Sequence, residues 1–197
     1  MRGWVLSLLL IFICNPTAQA GYVELGFAGN YRKLYLPSET SREYYDSTVA
    51  CTASLAYYFA EMAAVELNTT RGRSERHVPS SLIDTKTTYD FTLVGLDLIP
   101  SFAERNAPFV PYIKAGVAHF VNKDVTYEFR DNVNPLNNRM ERVNLGSAYV
   151  PSLGFGMRLR ITQAIALKVG LEAWTSDSLE TDPRWDIAGR AGVSWFF

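Results

Sequence analysis

Cysteine is nearly absent from this chain: two residues in 197, Cys14 and Cys51. Cys14 sits in an N-terminal segment that reads as one to be removed, which leaves Cys51 alone. A single cysteine makes no intramolecular disulfide and excludes metal sites built from cysteine clusters. Histidine is equally scarce, with His77 and His119 only. The formal net charge of -1 lacks the basic excess of a general nucleic-acid binder, so no nucleic-acid partner is expected. Beyond residue 20 no apolar run approaches the ~20 residues that a membrane-spanning helix needs. The chain contains no G-x-S-x-G, Walker loop, H-E-x-x-H or EF-hand loop, which removes support for hydrolase, nucleotide, zinc-protease and calcium chemistry. No cofactor, no metal and no catalytic residue are expected, and the chain reads as a non-enzyme.

What is present begins with an export signal. Arg2 precedes an apolar run from Val5 to Ile13, Asn15-Pro16 breaks it, and Ala18-Gln19-Ala20 supplies an A-x-A cleavage site. Residues 1–20 therefore read as a cleaved signal peptide and 21–197 as one domain starting at Gly21. Ile13 is bulky where a lipoprotein signal needs a small residue, which argues against lipidation at Cys14.

From Gly21 onward apolar residues recur at every second position, the period of a strand with two unlike faces. About eight such segments occur, each near the roughly 9–11 residues of a tilted membrane strand. Near Tyr22–Tyr31, Val23, Leu25 and Phe27 point outward. Near Thr48–Phe59, Val49, Cys51, Ala53, Leu55, Tyr57 and Phe59 do so. The third segment has Ala63, Val65 and Leu67 outward, and the fourth pairs outward Tyr89, Phe91 and Leu93 with inward Asp90 and Thr92. Ile113, Ala115 and Val117 mark the fifth, Leu153 to Ile161 the sixth, Ile165 to Leu171 the seventh. In the last, Trp185, Ile187, Ala191, Val193, Trp195 and Phe197 share one face against Asp186, Arg190 and Ser194.

Connections alternate in length as membrane barrels require, with short periplasmic turns and long extracellular loops. Short ones fall at Ala60-Glu61 and Thr162-Gln163, with a longer turn from Pro100 to Pro108. Long polar ones run over Arg32–Ser47, Arg71–Asp84, Asn122–Gly146 and Thr175–Pro183. Within the third, Val125, Tyr127 and Phe129 alternate with Thr126, Glu128 and Arg130, which predicts that strands five and six continue as a hairpin turning near Asn134-Pro135. The expectation is an all-β, closed antiparallel transmembrane β-barrel of about eight strands in an outer membrane.

The terminal alternation ending on Phe197, together with Pro111-Tyr112-Ile113-Lys114-Ala115-Gly116-Val117 and Leu153-Gly154-Phe155-Gly156-Met157-Arg158-Leu159, resembles the small outer-membrane β-barrels of the OmpA/OmpX type. The resemblance covers the whole chain after residue 20 as a pattern. It implies that Val193, Trp195 and Phe197 form the C-terminal signal read by the barrel-insertion machinery. With the chain ending at Phe197, no periplasmic peptidoglycan-binding domain is expected. Some small barrels of this kind modify lipid A, and one such deacylase carries His with Ser two residues later; here His119 is followed by Val121 at that position.

Inward positions carry Glu24, Glu66, Asp90 and Glu172 together with Lys114, Arg158, Lys168 and Arg190. An eight-stranded barrel is just wide enough for side chains to fill it, so these charges are expected to pair and plug the interior. A narrow polar pore for ions or minor solutes is the alternative, and a lipid A-modifying enzyme the third reading. The basic stretch Arg71, Arg73 and Arg76 is a candidate contact with lipopolysaccharide phosphates. Tyr31, Tyr35, Tyr44, Tyr45, Tyr127, Tyr149, Trp174 and Trp185 are expected at the outer interface. Expected partners are outer-membrane lipids and lipopolysaccharide, the insertion machinery, and an extracellular surface partner met by the loops, in a structural or adhesive role.

Overall fold

The computed structural model describes residues 22–36, 44–80, 82–175 and 185–197. The segment 1–20 and the fourth long connection after Thr175 lie outside the described residues, as does the middle of the first. Among the described residues nine strands form one antiparallel sheet: β1 (Tyr22–Leu36), β2 (Tyr44–Ala60), β3 (Ala63–Val78), β4 (Ile83–Pro100), β5 (Phe109–Asp131), β6 (Arg139–Asn144), β7 (Ala148–Arg160), β8 (Ile165–Thr175) and β9 (Trp185–Phe196). Eight of them close into a ring, because β1 pairs with β9, β4 with β5, and β5 with β7. No helix among the described residues is long and apolar enough to cross a membrane. Closure pairs each of the eight ring strands on both sides, the condition for strands to cross hydrocarbon.

Alternation decides the two faces. Leu25, Phe27, Leu55, Leu67, Leu96, Ile113, Phe155, Leu171 and Ile187 stand exposed on the outside, as lipid-facing side chains do. Tyr31, Tyr149 and Trp185 are exposed on the same face at one end of this belt, and Phe102, Phe109, Trp195 and Phe197 at the other. Trp174 departs from the girdle expected of it: it points inward and is buried against Phe91.

The fourth strand also departs. Phe91 and Leu93 face the interior, while Asp90 and Thr92 share the outward column of Val94, Leu96 and Leu98. Leu93 and Val94 are consecutive apolar residues, so the alternation fits either face there. The longer column fixes the parity, because a one-residue slip turns every side chain over. In β5 the register with β4 shifts between the pairs Thr92/Asn122 and Leu93/Phe120, leaving Val121 as the extra residue. Such a bulge reverses the facing of everything beyond it, and Val125 is accordingly fully buried.

Strands β1 to β5 are far longer than a membrane crossing, at 15 to 23 residues, against 11 to 13 for β7, β8 and β9. One side of the barrel therefore continues outward as a sheet. The expected loop Arg71–Asp84 is mostly strand, with β3 and β4 joined only through residues 79–82. The hairpin is present: β5 runs to Asp131, the chain turns through Pro135–Asn137, and β6 pairs back onto β5 from Phe129/Arg139 to Asp124/Asn144. Gly146, at φ 76, then breaks the return strand from β7, in a conformation that other residues rarely adopt.

At the hairpin tip Asp131 Oδ1 accepts from the backbone N–H groups of Val133 (2.8 Å) and Asn134 (2.9 Å), and Oδ2 from the Asn137 amide (3.0 Å). The Asn134 N–H, the Asn137 amide and the Val133 N–H hold its carboxyl below the ordinary value of 3.8. A carboxyl lowered on folding contributes order above its unfolded value, lost as pH falls through the folded one. The Val133 and Asn134 amide resonances should stay fixed from neutral pH down to 3.8 and move only below it; movement that begins near pH 6 would remove Asp131 as the tip's organiser.

Gly72 shows how tightly the outer half is filled, since a Cβ there would lie 2.5 Å from Phe91 Cζ and 2.7 Å from Ala50 Cβ. Gly72→Val should destabilise the barrel by about 1–3 kcal/mol through overpacking, read as a lower urea midpoint in lipid vesicles.

Candidate functional site

Five strands lay down their inward residues in the same vertical order. From the end bearing the short turns, β3 presents Ala64 and then Glu66; β4 Ile99, Asp97, Leu93 and Phe91; β5 Tyr112, Lys114, Ala118 and Phe120. In β8 the order is Ala166, Lys168, Glu172 and Trp174, and in β9 Phe196, Arg190 and Ala188. Stacking these columns produces three layers. Ala56, Tyr58, Ala64, Ile99, Tyr112, Ala166 and Phe196 form an apolar layer at the periplasmic end. Ala50, Phe91, Leu93, Ala118, Phe120, Val150, Trp174 and Ala188 form another toward the extracellular end. Between and around these layers, among the described residues, lies the central charge network.

That charge is balanced, four acids to four bases. Lys168 Nζ reaches Glu24 at 2.6 Å and Glu66 at 3.3 Å. Arg158 meets Glu24 at 3.1 Å and donates to the Tyr58 hydroxyl, which itself donates to Glu24. Lys114 lies 3.5 Å from Glu66 and 3.2 Å from Asp97, and also pairs with Glu172. Arg190 pairs with Glu172 and stands 4.0 Å from Glu66. Asp97 also accepts from Asn68 at 2.7 Å and Ser152 at 2.5 Å. Glu66 thus faces three cations, and Glu24 and Arg158 are each only 1% exposed.

Seven of the eight residues expected in this network meet there. Asp90 does not: it points outward, 43% exposed, and pairs with Arg73 at 2.7 Å. Its place is taken by Asp97, whose inward position follows from the Val94, Leu96 and Leu98 column that sets the parity of β4. The Arg158 guanidinium lies 5.3 Å from the Tyr58 ring centre and 5.4 Å from that of Phe196, which seats the charge in the periplasmic apolar layer. A cavity of about 30 Å³ lies between Lys114, Glu172 and Trp174, room for bound water.

The three arginines on β3 do not act as one loop cluster. Arg71 and Arg73 are on its outward face, while Arg76 turns inward to Asp46 at 3.1 Å, which Arg32 also approaches at 3.4 Å. Arg71 makes no ion pair among the described residues. Beyond the belt the outward face carries a ladder in which Arg73 bonds Asp90, and Arg142 (3.0 Å) and Asn144 (2.8 Å) both bond Asp124. His119 stacks on Tyr149 at the rim, with ring centres 4.3 Å apart. At the C-terminus Trp195 packs edge-on against Phe27, and the backbone N–H of Phe197 donates to Val23. Among the described residues no group of three or more His, Cys, Asp or Glu could hold a metal ion.

No protein-family model matches the chain, and none of the curated proteins matches it in sequence. Among solved structures it is similar to CarO of Acinetobacter baumannii, with a TM-score of 0.52 and 14% identity over 87% of this chain and 97% of that one. The N-terminal β-barrel domain of Pseudomonas aeruginosa OprF gives 0.48 and 20% over 89% and 97%, and Neisserial surface protein A (NspA) 0.49 and 12% over 90% and 98%. Identities this low bear on the fold alone. With a closed eight-stranded ring, an apolar outer belt and aromatic rims, the fold is that of the small outer-membrane β-barrels, and the chain is an outer-membrane protein.

Because Glu66 is buried among three cations, removing it strands positive charge in the barrel. Glu66→Leu should lower unfolding stability by about 3–5 kcal/mol, measured in urea on the lipid-reconstituted protein. A loss below 1 kcal/mol would mean that water reaches these groups.

Proposed function

We propose that this protein is a non-enzymatic barrel with a sealed lumen, serving the cell envelope and its surface through the sheet that rises beyond the membrane. The observation that carries this reading is the layering of the interior: a neutral charge layer capped on both sides by aromatic and aliphatic side chains. Conduction would require a continuous wet path, and the two apolar layers lie across it on either side of the charges. What remains available to a partner is the outside of the long wall, β1 to β6. Its arm displays Val133, Leu136 and Met140 well exposed on a tip held by the Asp131 hydrogen bonds. A surface or adhesive contact through this arm is the role that fits.

Residues 1–20 act as a cleaved signal peptide, and Val193, Trp195 and Phe197 as the signal for insertion. N-terminal sequencing of protein extracted from outer membranes should read from Gly21. Lipopolysaccharide is a neighbour on the outer face, where Arg71 and Arg73 stand above the lipid-facing belt; Arg76, engaged by Asp46, takes no part. Charge reversal of Arg71 and Arg73 should reduce lipopolysaccharide co-purification, and unchanged co-purification removes that contact.

Planar-bilayer recording tests the sealed lumen. Folded, reconstituted protein should give no discrete channel events. Stepwise conductance whose ion selectivity changes when Lys168 and Arg190 are neutralised would make the protein a pore instead. Lipid A of altered mass in cells expressing the protein would contradict the non-enzymatic reading.

A further inference from the structure

The periplasmic mouth holds positive charge that the interior network does not neutralise. Within that network four acids answer four bases, Arg158 included, so its charge is complete. Arg105 and Arg160 are left over. Arg105 belongs to the turn between β4 and β5, which folds across the mouth: Ser101 bridges to Tyr112, Phe102 N–H bonds Pro111 O (2.9 Å), and Arg160 N–H bonds Pro108 O (3.0 Å). The turn thereby seats Arg105 at only 6% exposure, its guanidinium 3.3 Å from the Tyr22 ring centre. It has no hydrogen bond or ion pair among the described residues.

Arg160 projects from the end of β7 toward the same turn. Its guanidinium meets neutral groups only, the Asn106 side chain (2.7 Å) and Gln163 O (3.2 Å), and its Nε is buried without an acceptor. Both guanidiniums meet at the one turn, since Arg105 belongs to it and Arg160 donates to the adjacent Asn106. The acids of the neighbouring turns, Glu61 and Glu104, make no ion pair among the described residues. Arg105 is buried with no counter-charge, among the costliest features a fold can hold, and Arg160 beside it is half-buried.

We infer that Arg105 and Arg160 form a phosphate-binding site at the periplasmic mouth. A single guanidinium fork satisfies a carboxylate, but two guanidiniums on separate elements match a group with three or more acceptor oxygens and more negative charge. Phosphate has that chemistry. Two sources lie at this depth: free phosphate in the periplasm, and the headgroup phosphate of a phospholipid in the inner leaflet, whose level the exposed Phe102 and Phe109 mark. The Tyr22 ring under Arg105 holds one side of the site, and the Asn106 amide orients the other.

The test uses protein extracted from membranes into a phosphate-free, non-ionic detergent, with folding checked by heat-modifiable gel migration. Calorimetric titration with inorganic phosphate is paired with native mass spectrometry for retained phospholipid, on wild type, Arg105→Gln, Arg160→Gln and, as control, Arg139→Gln in the exposed arm. Saturable phosphate binding weakened about tenfold in each mouth variant, the scale of one lost charge-assisted hydrogen bond, and unchanged in the control assigns the site to free phosphate. Absence of that binding, with a phospholipid retained by wild type and control but lost from both mouth variants, assigns it to the headgroup. Neither phosphate binding nor retained phospholipid, or either one unaffected by the mouth variants, overturns the site.

Discussion

Charge neutrality inside a narrow barrel is the constraint on which the rest of this structure depends. Eight ionised side chains are held in a narrow lumen, and any one left alone would cost several kcal/mol. Neutrality must therefore be met locally, which is why Glu66 stands among Lys114, Lys168 and Arg190 and why Glu24 is shared by Lys168 and Arg158. The apolar layers follow from the same requirement. Aromatic side chains pack at each end of the pairs, and small residues such as Gly72 leave the room that those aromatics occupy.

Much of this was legible in the sequence because strand periodicity is local. The outward columns of β1, β2, β5, β7 and β9 follow from alternation, and a closed even-numbered ring follows from the number of columns and the rhythm of connections. Alternation failed where both faces are apolar. Around Leu93-Val94 an aromatic plug inside and a lipid belt outside give the same pattern, so alternation alone turns Asp90 inward and passes over Asp97. The length of β3 was also hidden. A polar stretch such as Arg71 to His77 reads as a loop when strands are required to end at the membrane, yet pairing with β2 and β4 carries it onward as sheet. The bulge at Val121 has no local signature, since it depends on register with β4. Arg105 is plain in the sequence as a turn residue; only the folding of that turn across the mouth isolates its charge.

A sealed interior, as proposed, would shift binding to the asymmetric wall and the two ends. With the lumen filled, chemistry available to other molecules sits at the two ends and on the outer surface. Toward the outside, β1 to β6 raise a sheet cross-linked by Arg73 to Asp90 and Arg142 to Asp124, and finished by a tip that Asp131 organises. Toward the periplasm, short turns close over the apolar layer and leave Arg105 and Arg160 unanswered. The two ends differ in chemistry: an extended, mixed surface outside and two guanidiniums without counter-charges among the described residues inside.

Water-edited solid-state NMR of the protein in lipid bilayers tests the dry, neutral core most directly, because it reads how quickly polarisation passes from water to individual nitrogens. The account predicts that the Lys114 and Lys168 ammonium nitrogens receive it as slowly as the backbone of Ala64 and Ala166 in the periplasmic apolar layer. Transfer as fast as to the Arg142 guanidinium on the exposed arm would contradict it and make the charge layer a wetted passage.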